Sequence, residues 1–316
     1  MPLGWRLRTQ SFWNGFKAMS RPTDSPNEAW GVSSMAGPLR RVAMRRPGAI
    51  LEADADRWHY AKRLDPVLLQ QQYQVFVDAV TDSGAEIVWM PDGYGDDLAD
   101  SIFTYDPSFM VPAGAVVMRP GKELRAGEAD LHTRFYEEQD IPVVGSISAP
   151  GLLEGGDCFW LDDTTLAVGR GFRTNQAGIE QLTGLLAPLG ISVLAFDLPY
   201  HLGPEACLHL MSIVSSLDTD LALVHAPLLP TALYHLMLEM NYELLVAPPE
   251  EFDVSLGLNL NVLATAPRTV IAVEGFAGTV DLMRRAGCEV TTFVADELCI
   301  PCEGGPTCLT RPLLRR

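Results

Sequence analysis

Cys308 stands in Gly304-Gly305-Pro306-Thr307-Cys308-Leu309-Thr310, where two glycines let the backbone pass close to a ligand and a proline stiffens the approach. A thiol is a strong nucleophile once it is deprotonated. His209, in Leu208-His209-Leu210, is the side-chain type suited to give and take protons near neutrality. Glu154 and Asp157 flank Gly155-Gly156, and carboxylates on either side of such a turn can accept hydrogen bonds from a cation. Asp100 and Asp106 bracket Phe103-Thr104-Tyr105. Asn261 sits in Leu260-Asn261-Val262-Leu263, an apolar run expected to be a strand, where an amide needs partners. Each residue alone has an ordinary explanation: a small buried thiol, a satisfied core histidine, a structural turn. Together they supply a nucleophile, a proton-transfer group and anchors for a cation.

These residues are scattered over most of a 316-residue chain, so the fold must gather them. The composition is globular, with 47% hydrophobic and 20% charged residues, and the length allows a full core. A net charge of −17 argues against nucleic acid as a partner and suits a cationic small substrate. No apolar run is long enough to span a bilayer, so no membrane association is expected. No apolar stretch follows Arg6, Arg8 and Lys17, so no secretion signal is read there, and six cysteines are too few for a disulfide scaffold. A reducing, cytoplasmic compartment is the expectation.

Residues 1–36, rich in Ser, Pro, Asn and Trp, read as an extension, either disordered or docked through Trp5, Trp13 and Trp30 on the body or on a second subunit; a homodimer is compatible with this. From residue 37 to 316 a single catalytic domain is expected. Its rhythm is strand pairs alternating with single helices. Arg41–Met44 and Glu86–Met90 are strands around a helix capped by Asp65-Pro66, with Leu69, Tyr73, Phe76, Val77 and Val80 on one face. Similar units follow. A strand at Ala115–Met118 precedes a helix at Glu128–Gln139. A hairpin turns at Asp162-Asp163-Thr164, and another runs from Leu208–Val214 to Leu221–Val224. A last pair, Asn261–Ala264 with Thr269–Val273, leads to a helix at Thr279–Ala286 and a strand at Glu289–Phe293. His59, His132 and His235 fall in or beside expected surface helices. No G-x-G-x-x-G follows a strand, which argues against a dinucleotide fold.

The Glu-Gly-Gly-Asp turn, Leu-His-Leu, Phe-Thr-x-Asp, Asn-Val-Leu and the terminal Gly-Gly-Pro-x-Cys-Leu-Thr occur here in the order found in the guanidino-group-modifying (pentein) superfamily. The resemblance covers roughly residues 38–316. It is closest to the dimethylarginine dimethylaminohydrolases, and the superfamily also includes arginine deiminases and amidinotransferases. It implies an α/β fold, a five-bladed β/α-propeller of ββαβ repeats with the site on its axis. It implies a cofactor-free hydrolase with no metal, acting on a small guanidino substrate through a covalent thiouronium. Carried over by position, Cys308 resembles the nucleophile and His209 the general acid/base. Glu154 and Asp106 resemble the carboxylates that hold the guanidinium, Arg125 and Arg173 the binders of a substrate carboxylate, and Asp100 an aspartate beside the substrate.

Two positions depart from the relatives. Arginine deiminases and amidinotransferases carry His-x-Asp, whereas here Met211 follows His209. On a strand, Met211 would share the face of His209 and pack on N-alkyl groups. This points to an N-substituted guanidine, dimethylarginine above all, with an amidinotransferase or an arginine hydrolase as alternatives. Tyr105 stands where many dimethylaminohydrolases have Glu and arginine deiminases have Arg. Cys299-Ile300-Pro301-Cys302 has the spacing of a zinc or redox pair, but no second such pair completes a structural zinc site. The stretch from Pro47-Gly48 to Asp56 could serve as a lid.

Overall fold

The computed structural model describes residues 29–316, apart from 96 and 205. Trp5 and Trp13 lie outside the described residues. Among the described residues, no helix is long and apolar enough to cross a membrane.

In chain order, β1 (Leu39–Met44) leads through a short turn of helix, α1 (Ala55–Trp58), and the long α2 (Pro66–Asp82) to β2 (Glu86–Trp89). Then come β3 (Ser108–Val111), β4 (Gly114–Val117), α3 (Glu128–Glu138) and β5 (Val143–Ser146). The third unit is β6 (Cys158–Trp160), β7 (Thr165–Arg170), α4 (Gln176–Leu186) and β8 (Ser192–Asp197). The fourth is β9 (Val214–Ser216), β10 (Leu221–Val224), α5 (Thr231–Glu239) and β11 (Glu243–Val246). After α6 (Pro249–Ser255), the fifth comprises β12 (Leu263–Ala266), β13 (Thr269–Val273), α7 (Ala277–Arg285) and β14 (Glu289–Phe293). The last strand, β15 (Arg311–Arg315), returns to pair with β1.

Among the described residues each sheet has three strands: an antiparallel pair, then a parallel third strand reached through a helix. In the first unit the antiparallel partner comes from the far end of the chain, in the order β15-β1-β2. Five ββαβ blades result, the expected propeller. A parallel pair cannot be joined by a tight turn, so each blade needs a long crossover, and here an amphipathic helix supplies it. In α2 the Asp65 side chain accepts from the backbone N–H groups of Val67 and Leu68, as its position before a proline suggests. The five apolar residues of its expected inner face are all buried, and Phe76 meets Phe293 of β14 with ring centroids 5.0 Å apart.

Three local expectations fail. The strand expected from Leu208 begins only at Val214; Leu210–Ser212 is a short 3-10 turn with His209 at its N-cap. The strand expected from Asn261 begins at Leu263. His132 is buried rather than on a surface face, with Nδ1 2.9 Å from the Ser108 hydroxyl. In the first two cases the apolar neighbours that suggested a strand point into the core from a loop. In the third, α3 turns His132 inward, where Ser108 and Tyr136 complete a buried hydrogen-bond chain.

Candidate active site

The five blades share one device. Asp106 lies two residues ahead of β3, Glu154 four ahead of β6, His209 five ahead of β9, Asn261 two ahead of β12 and Cys308 three ahead of β15. Each is in the loop entering the first strand of a blade. Eight of the ten residues singled out from the sequence line a cavity of about 390 Å³: Asp100, Asp106, Arg125, Arg173, His209, Met211, Asn261 and Cys308. Glu154 and Asp157 are buried behind its wall.

Around the thiol, Asn261 is bound at both ends of its amide. Its Nδ2–H donates to Cys308 Sγ at 3.0 Å, and its Oδ1 accepts from the Thr307 N–H at 2.9 Å. Tyr105 N–H donates to the Cys308 carbonyl at 3.1 Å. A Cβ on Gly305 would lie 2.4 Å from the Asn261 side chain, and one on Gly304 would lie 2.4 Å from the Phe103 ring, so both positions must be glycine. Burial pushes the Cys308 thiol up to about 11, the Asp106 carboxylate adds to this, and the Asn261 donor opposes it.

His209 Nε2 lies 2.6 Å from Glu154 Oε2, while Nδ1 faces the Cys207 thiol at 3.7 Å and Asp106 Oδ1 at 4.0 Å. Burial alone would lower the His209 pKa. The neighbouring Cys207, Asp106 and Asp157 outweigh it and hold the imidazole well above its ordinary value. Burial would likewise raise Glu154, but Arg173 and His209 hold it well below the carboxylate range. Glu154 Oε1 accepts from the Gly121 N–H at 2.7 Å and from Arg173 at 3.1 Å.

Asp106 accepts from the Gly156 N–H through Oδ1 at 2.9 Å and from Arg125 through Oδ2 at 2.6 Å. Arg125 has other partners than the expected substrate carboxylate: its remaining N–H groups go to Glu128 at 2.8–3.1 Å and to the Phe103 carbonyl at 2.9 Å. Asp100 is similarly occupied, accepting from the Tyr60 hydroxyl at 2.7 Å and from Lys122 Nζ at 2.6 Å. Asp157 accepts from the Leu210 N–H at 2.9 Å and so fixes the turn that carries His209; burial raises its pKa to about 6. Asp106, Glu154 and His209 offer ligand atoms within 4.8 Å of one another, close enough to share an ion. Each carboxylate already faces a guanidinium, which disfavours a metal cation there.

Lys122, Cys207 and Glu303 also line the cavity and were not singled out. Lys122 follows the Arg119-Pro120-Gly121 strand end, Cys207 lies two residues before His209, and Glu303 directly precedes Gly304-Gly305. Proximity to motif residues was the available signal for all three. Cys302 reaches the same cavity, and all six cysteines are free thiols.

The arginine deiminase family profile matches residues 89–245. An N(G),N(G)-dimethylarginine dimethylaminohydrolase of Streptomyces coelicolor is 32% identical over 194 residues, covering 60% of this chain and 70% of that protein. An arginine deiminase of Listeria welshimeri is 27% identical over 265 residues, covering 70% of this chain and 63% of that protein. The structure of a dimethylarginine dimethylaminohydrolase from Pseudomonas aeruginosa complexed with citrulline superposes with a TM-score of 0.70 at 22% identity, over 87% of this chain and 99% of that one. An amidinotransferase from Microseira wollei superposes with a TM-score of 0.74 at 16% identity, over 91% of this chain and 97% of that one. The class is a β/α-propeller hydrolase acting on the C–N bonds of amidines. The chain belongs to the guanidino-group-modifying, or pentein, superfamily, close to the dimethylarginine dimethylaminohydrolases.

Proposed function

We propose that the protein hydrolyses an N-substituted arginine, with dimethylarginine converted to citrulline and dimethylamine. The observation that carries this reading is the convergence of Cys308, His209 and Asp106 on one cavity, with Glu154 in contact with His209. A guanidinium carbon is a poor electrophile because the cation is resonance-stabilised, so the attacking group must be a thiolate. With its pKa near 11, Cys308 is almost wholly protonated at neutral pH until a cation arrives. The substrate guanidinium supplies that charge, and its N–H pairs match carboxylate oxygens.

Asp106 and Glu154 hold the guanidinium so that its carbon faces Cys308 Sγ. For Glu154 this requires Arg173 to release it, and the released Arg173 turns to the substrate carboxylate, where Lys122 stands alongside. The thiolate adds to the carbon. Collapse of the adduct breaks the bond to the substituted nitrogen, and protonated His209 gives that nitrogen its proton as dimethylamine leaves. The neutral His209 then takes a proton from water, whose oxygen attacks the thiouronium carbon. Expulsion of the thiolate, with the hydroxyl proton passing to it, completes the ureido product and restores the Cys308 thiol.

Met211 lines the cavity from the turn after His209, where its thioether packs on N-methyl groups rather than accepting hydrogen bonds. Unsubstituted arginine is the second reading, favoured by the family profile over residues 89–245. Mass spectrometry of products from dimethylarginine, monomethylarginine, arginine and agmatine tests both. Dimethylarginine is expected to give citrulline fastest, with no product from Cys308→Ser. A cationic haloacetamidine should label Cys308 faster than neutral iodoacetamide, because only the cation promotes ionisation. No turnover of any of the four and no adduct at Cys308 would end the enzyme reading.

A further inference from the structure

Beneath the substrate cavity a second, much smaller one of about 20 Å³ lies on the propeller axis. That is room for a single occupant the size of a water molecule. The first strand of every blade contributes to it: Phe109 from β3, Trp160 from β6, Ser216 from β9, Leu263 from β12 and Arg311 from β15. Tyr105, Met211 and Thr307 line both cavities and form the partition between them.

The charges around this space do not balance. Arg311 is 2% exposed and Arg315 is 8% exposed, and four residues apart on β15 they share one face of the strand. Among the described residues, no acidic side chain lines the cavity and neither guanidinium has a carboxylate within 4.0 Å. Arg311 donates to the Tyr105 carbonyl at 3.1 Å and lies 3.8 Å from the centroid of the Tyr105 ring. Among the described residues its Nε–H has no partner. Arg315 donates to the carbonyls of Gly37 and Ala264 at 2.7 and 2.8 Å. Trp160 is 2% exposed, and its indole N–H is likewise without a partner among the described residues. Carbonyl oxygens satisfy hydrogen bonds but leave two positive charges uncompensated in an apolar setting, and a buried cation without a counter-charge is costly. Consistently, burial and the neighbouring Arg311 bring the Arg315 pKa down to about 10.

We propose that this cavity binds one small monovalent anion, chloride, held by the guanidinium groups of Arg311 and Arg315 and the indole N–H of Trp160. The volume excludes phosphate, sulfate and free carboxylates. A water would accept the two orphaned N–H groups but would carry no compensating charge. A monatomic anion does both, and in doing so ties β15 to β6 across the axis.

Two measurements on the full chain test this. In crystals grown with bromide replacing chloride, an anomalous peak is expected between Arg311, Arg315 and Trp160. In thermal unfolding at constant ionic strength, replacing gluconate with chloride should raise the midpoint, by about 2 °C for each tenfold increase in chloride above the dissociation constant. Trp160→Phe, which keeps the ring packing and loses the N–H, should weaken the chloride dependence, and Arg315→Met should abolish it. The proposal is overturned by a cavity without an anomalous peak, by a water or a carboxylate from residues 1–28 occupying it, or by identical unfolding curves in chloride and gluconate.

Discussion

At the scale of single residues, Cys308 is set in opposition to its surroundings. Burial and Asp106 keep it a thiol, and the Asn261 amide donates to its sulfur. Asn261→Ala removes that donor and the anchor of Thr307, so the thiol pKa should rise further and kcat should fall by ~10–100-fold, on the order of one or two lost hydrogen bonds to a charged group. The pH dependence of haloacetamidine labelling reads the first effect and steady-state kinetics the second. Glu154 gives a stability prediction. Its folded pKa lies below the ordinary 4.5, so its ion pairs stabilise the fold above that value, and the contribution is lost as pH falls through 4.5 toward the depressed folded value. Thermal unfolding between pH 6 and 3 should therefore drop more steeply for the parent than for Glu154→Gln; parallel curves would contradict the assignment. The residue types themselves were readable from motifs. What each one touches was not: Arg125 and Asp100 each looked available for substrate, and both are taken up by protein partners many residues away.

At the scale of elements, local pattern worked where one face is buried and one is wet. The Asp65-Pro66 cap and the spacing from Leu69 to Val80 gave α2 with the right inner face. It failed at the strand entries, where apolar residues on both sides of a polar one mimic a buried strand. His209 is the consequential case. As an N-cap of a 3-10 turn it does not share a strand face with Met211, so the alternation argument for Met211 falls, although Met211 still reaches the cavity. The turn holding Glu154 is equally constrained. A Cβ on Gly156 would lie 2.5 Å from His209 Nδ1 and 2.9 Å from Asp106 Oδ1. Gly156→Ala should therefore push the imidazole from its place and lower kcat by ~100-fold or more, and the overpacking should also lower the midpoint of urea unfolding, at a cost of about 1–3 kcal/mol. A variant with parent-like kcat would show that His209 has more room than the packing implies.

At the scale of the whole molecule, the ring closes through β15 and β1, which join residues some 270 positions apart, such as Ala43 and Arg311. That strand also carries the two buried arginines of the axis and follows directly from the Cys308 loop. A chain truncated before Arg311 leaves β1 with an open edge and removes buried side chains from the axis. It should show no cooperative unfolding transition by circular dichroism and no labelling preference at Cys308. A native-like transition would mean that the first blade stands without its antiparallel partner strand β15. The repeat of strand pair and helix was legible in the sequence, because hydrophobic period, caps and turn residues act over a few neighbours. So was the set of chemical groups, through their order along the chain. Only the tertiary structure decided that five loops, each a few residues ahead of the first strand of a blade, meet at one end of an axis, and that two arginines lie beneath them without a carboxylate partner among the described residues. Ring closure sets contacts between residues hundreds of positions apart, and short-range sequence pattern carries no information about them.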